Sequence, residues 1–66
     1  MNNEELREEA LKVSRAANFY GGSFAQKLLG EALVQADANN MRKIYQTWPD
    51  LWAQYLKMFN YMQGQR

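Results

Sequence analysis

Phe19-Tyr20-Gly21-Gly22-Ser23-Phe24-Ala25-Gln26 interrupts the chain between two helical periodicities. Two adjacent glycines open the backbone to positive φ and favour a turn or a helix C-cap. Ser23 and Gln26 have the Ser-x-x-Gln spacing of a capping box, so a new helix is expected to start at this point. Upstream, Leu6, Ala10, Val13 and Ala17 recur at spacings of 4, 3 and 4, which places them on one helical face, with Leu11 beside it. Asn2 or Asn3 can cap that helix, glutamates fill its first turn, and Lys12 and Arg15 sit near its end. The pattern predicts a first helix over 3–17. Downstream it predicts a second over 24–36, with Phe24, Leu28, Leu29, Ala32, Leu33 and Ala36 buried. Gly30 falls inside that helix at a cost of about 1 kcal/mol relative to alanine. Such a glycine suits close approach of another backbone, either the first helix or a symmetry mate.

Asp37 is placed to cap a third helix over 38–46, which turns Met41, Ile44 and Tyr45 inward. Thr47-Trp48-Pro49-Asp50 reads as the next restart: Thr47 as N-cap, proline in the first turn, and Asp50 completing a Thr-x-x-Asp box. A fourth helix over 50–62 then carries Leu51, Trp52, Tyr55, Leu56, Met58, Phe59 and Met62. That set covers more than one face, so the helix is expected to be central or covered by another subunit. Residues 63–66 are expected to fray. The sum is one all-α domain, a bundle of three to four short helices.

At 66 residues such a domain buries only about 60% of the surface its unfolded chain exposes. Disulfides, a metal or self-association usually assist at this size. Cysteine and histidine are both absent, which removes disulfides and Cys/His metal sites and leaves homo-oligomerisation. Twenty-three side chains are Leu, Ile, Val, Met, Phe, Tyr or Trp. Four short helices enclose too little volume for all of them, so an exposed apolar surface for assembly or binding is expected. Trp48, Trp52 and Tyr61 are the candidates for that interface.

The net charge of +1 conceals an asymmetry: residues 1–9 carry −3 and residues 10–66 carry +4. No run reaches the length of a membrane span, and the acidic start differs from a signal peptide, so a cytoplasmic protein is the expectation.

Without Cys or His the common nucleophile and base pairs are missing, and Glu4/Glu8 and Glu5/Glu9 are expected on an exposed first turn. The chain therefore reads as a binding protein, not an enzyme, with no cofactor and no metal. Gly21, Gly22 and Ser23 lead into a helix N-terminus, where free amides favour anions. With Tyr20 to stack on a base, and Lys27, Arg42 and Lys43 for phosphate, they make a candidate nucleotide site between subunits. A plain interhelical turn accounts for the glycines as well. The alternative is a small DNA-binding regulator using helix 38–46, whose Asn39, Asn40, Arg42, Lys43 and Gln46 are residue types that contact phosphates and base edges. Against it, the Gly-containing turn of a helix-turn-helix is missing.

Gly22-Ser23-Phe24, Leu28-Leu29-Gly30-Glu31-Ala32-Leu33, Ala36-Asp37, Asn40, Lys43-Ile44, Trp48-Pro49 and Trp52…Tyr55 together resemble short hypothetical proteins of bacteriophages and prophages. The resemblance covers roughly residues 21–56 and consists of caps and core positions. It implies a phage accessory protein acting by stoichiometric binding in the host cell. Such a protein would counter host defence, either by sequestering a nucleotide second messenger or by blocking a host defence protein.

Overall fold

A capping box opens the chain. In the computed structural model, which describes residues 1–64, Asn2 Oδ1 accepts from the Glu5 amide at 2.8 Å. Glu5 Oε1 accepts from the Asn2 amide at 3.0 Å in return, so two free donors of the first turn are satisfied together. The helix they start, α1 (Asn3–Tyr20), runs three residues beyond the expected end. Its last carbonyls find partners there: the Gly21 amide donates to Ala17 O at 2.8 Å. Gln26 Nε2 donates to Gly21 O at 3.0 Å and to Asn18 O at 3.4 Å.

The Gln26 bonds explain why the expected Ser23–Gln26 box does not form. Gly22 is the N-cap of the next helix, Ser23 is already helical, and the Gln26 side chain closes the end of α1 instead. Nor do the glycines adopt positive φ; both sit at −78°. Gly21 is needed for space. A Cβ there would lie 2.6 Å from Ala17 O and 2.8 Å from Ala25 Cβ.

Helix α2 (residues 23–35) begins and ends as α-helix, with an i→i+5 π segment at Gln26–Ala32 between. Ala25, Leu29 and Leu33 form its buried line, and Gly30 is buried beside them. Phe24 and Ala32, expected inward, face out, because the adjacent line through 25, 29 and 33 is the one turned to α1. Ser14 Oγ donates to Gly30 O at 3.1 Å in a buried contact, and the Asn18 amide occupies the space a Gly30 Cβ would need. The close approach at Gly30 comes from side chains of α1, not from another backbone.

Asp37 caps α3 (Ala38–Thr47) by accepting from the Asn40 amide at 2.8 Å. Met41 is buried from this helix, with Ile44 and Tyr45 half-buried. Thr47 is the last residue of α3, so the Thr47–Asp50 box does not form. Trp48 alone joins α3 to α4 (Pro49–Gly64). Its amide donates to Ile44 O at 2.9 Å, and its carbonyl accepts from the Trp52 amide at 3.0 Å. Pro49 follows at the first helical position, where the missing N–H removes nothing the helix needs. Gln63 and Gly64 are helical rather than frayed; Gln65 and Arg66 lie outside the described residues.

The central element is α1, which packs against α2, α3 and α4. It supplies Leu6, Ala10, Val13, Ala16 and Ala17 to a core that also takes Leu29, Leu33, Met41, Trp52 and Tyr55. Of the two expectations for the fourth helix, the central position is not what is found: only Trp52 and Tyr55 of α4 are fully inside, and its other large apolar residues are at most half-buried, which leaves the second, cover by another subunit, as a proposal. Among the described residues, no helix is long and apolar enough to cross a membrane.

Candidate functional site: an aromatic end

Around the α1–α2 turn, apolar rings face solvent. Phe19 is 71% exposed and stacks on Tyr20 with centroids 5.0 Å apart. Phe24, on the far side of the two glycines, is also exposed and meets Trp48 edge-on at 6.2 Å. On the α4 side, Tyr20 lines a shallow apolar groove with Met58, Tyr61 and Lys57. Tyr61 is 65% exposed and Trp48 38%. The turn is short because Gly21 admits Ala17, Ala25 and the Tyr55 hydroxyl at close range. The exposed rings beside that corner fall into two groups, Phe19 and Tyr20 with Tyr61, and Phe24 with Trp48.

Two of the sequence candidates for an interface, Trp48 and Tyr61, belong to this surface. Trp52 does not. It is 1% exposed, its indole N–H donates to Glu9 Oε1 at 2.9 Å, and Tyr45 packs edge-on against it at 5.1 Å. Trp52 is core, and it draws Glu9 out of the exposed first-turn cluster into a half-buried position. The sequence pattern assigns neither Phe19 nor Phe24 to the interface, and it places Phe24 on the buried face. The available signal for Phe19 was its place off the Leu6–Ala17 stripe; for Phe24 nothing local distinguished the two possible faces of α2.

The residues expected to hold a nucleotide separate within one chain. Tyr20, Gly21, Gly22 and Ser23 form the turn, and Lys27 is exposed on α2 one turn later. Arg42 sits at the other end of α1, where its guanidinium donates to Asn3 Oδ1 at 2.8 Å and to Met1 O at 3.4 Å. Eighteen residues of helix place that end about 27 Å from the turn. Lys43 lines a different groove, with Ala32, Gln35 and Asn40. The cation the fold does bring to Tyr20 is Lys57. On α3, Asn39, Asn40, Lys43 and Gln46 are exposed as the DNA reading expects. With Arg42 held by α1, Lys43 is the one base that face presents.

Comparison of the chain with protein-family models, with curated proteins and with solved structures found no match.

Proposed function

We propose that this chain is a small accessory protein of the phage type that acts by stoichiometric binding, and that its aromatic end covers a host defence protein. The observation that carries the reading is the exposure of five large rings in two groups around the α1–α2 turn, Phe19 and Tyr20 with Tyr61, and Phe24 with Trp48. Their exposed fractions correspond to on the order of 500 Å² of aromatic surface. A contiguous apolar patch of several hundred Å² on a small domain usually marks an interaction site. Tyr and Trp suit that use because each buries a large area while few rotamers are frozen.

A second reading has its own observation. Tyr20, Tyr61 and Lys57 share one groove, so two rings and a cation are available to a nucleotide signal. Lys57→Ala separates the two. Loss of the cation weakens capture of a nucleotide severalfold and leaves an interface built on aromatic area nearly unchanged.

The test is phage plating on a panel of bacterial strains, each carrying one defence system and expressing the chain. The wild type is expected to restore plaques on at least one strain. Phe19→Ser and Tyr61→Ser, both at exposed positions and folded by circular dichroism, are expected to abolish that rescue. No rescue on any strain, or rescue unaffected by both variants, contradicts the reading.

A further inference from the structure

The face of α1 opposite the core carries Glu4, Glu8, Leu11, Arg15 and Asn18 at spacings of 4, 3, 4 and 3, all exposed. That is one straight stripe on a helix of 18 residues. Its centre, Leu11, is 55% exposed, and half-buried Phe59 of α4 widens the apolar patch beside it. The N-terminal half of the stripe is acidic. Its C-terminal half is basic, with Lys12 next to Arg15, and Arg7 at the stripe's edge is the exception. We infer that this face docks on the same face of a second copy, with the two α1 helices antiparallel about a two-fold axis near Leu11.

Charge pattern selects both the occupant and the direction. A two-fold contact must be self-complementary, since whatever one surface offers it also receives. Antiparallel pairing brings Glu8 beside the partner's Arg15 and Arg15 beside the partner's Glu8, with the two copies of Leu11 in contact between them. Parallel pairing would set Glu8 against Glu8 and Arg15 against Arg15, which repels at both ends. This surface is separate from the aromatic end, so the inference does not rest on the proposed function and leaves that end free for a partner.

The test is the solution mass of the whole chain by light scattering, with circular dichroism to confirm helix in each variant. The wild type is expected at an even multiple of 7.7 kDa. Glu8→Arg and Arg15→Glu should each halve the mass, and the two together should restore it, because the exchanged charges again face opposite partners. Leu11→Ser, at an exposed position that the fold does not need, should also halve it. A wild type of one chain mass overturns the inference. So does an unchanged mass in the single variants, a double variant that stays dissociated, or a mass lowered by Tyr61→Ala and not by Leu11→Ser.

Discussion

Gly21 and Gly22 are neighbours with the same φ and opposite surroundings. Gly22 has open space where a Cβ would be added, whereas Gly21 has the Ala17 carbonyl and Ala25. Gly21→Ala should therefore destabilise by about 1–3 kcal/mol, as overpacking does. Gly22→Ala should change stability by less than about 1 kcal/mol, because the gain from a less flexible unfolded chain is offset by alanine's poorer fit at the N-cap of α2. Thermal melts of the pair check this, and equal melting temperatures would contradict it. The Trp52–Glu9 bond allows a second comparison. Trp52→Phe removes the indole N–H and one of two fused rings, which strands a half-buried carboxylate acceptor and opens a small cavity, so a loss of about 1–3 kcal/mol is expected in urea unfolding. Neither contact was legible beforehand. The glycine pair announces a turn, but which of the two needs the space depends on Ala25 and Tyr55 arriving from other helices. Glu9 and Trp52 are joined only after α4 packs on α1.

Helix ends were more readable than helix faces, and the reason is that caps are local. Asn2 and Asp37 both act as N-caps, each through one side-chain oxygen and one amide three residues on. Asn2→Ala and Asp37→Ala should each reduce stability by about 1 kcal/mol. Ser23→Ala should change it by less than about 0.5 kcal/mol, because Ser23 has the right spacing without the role. Chemical denaturation of the three variants ranks them, and a Ser23 effect equal to that of Asp37 would mean the box forms after all. The spacing of Ser23 and Gln26 misleads because the Gln26 amide serves the end of α1, the helix before its own, which no local pattern encodes. The breaks at Gly21, Asp37 and Pro49 were visible as residue types. The π segment of α2 was not, since Gln26–Ala32 contains nothing that a regular helix would refuse except Gly30.

For the molecule as a whole, the supply of aromatic residues foretold an exposed apolar surface, and one exists. Its residues lie in two stretches of the sequence, 19–24 and 48–61, and folding brings Phe24 to Trp48 and Tyr20 to Tyr61. A chain of 66 residues builds only a small core around α1. If copies pair along α1, the folded state is coupled to concentration by mass action. The melting temperature of the wild type should then rise with protein concentration, while that of Leu11→Ser stays flat; a flat wild-type curve would count against pairing.

The corners of this fold are very short: Gly21 and Gly22 between the first two helices, Ala36 and Asp37 between the next two, and Trp48 alone between the last. A chain without slack at its corners tolerates length changes poorly. One residue inserted at Trp48 would have to be absorbed by a one-residue joint, which would displace Trp52 and Tyr55 from their places in the core. Homologues of this protein should therefore vary in length at their two ends and hold the spacing between Gly21 and Tyr55 fixed, and purification tags or reporter fusions belong at the ends.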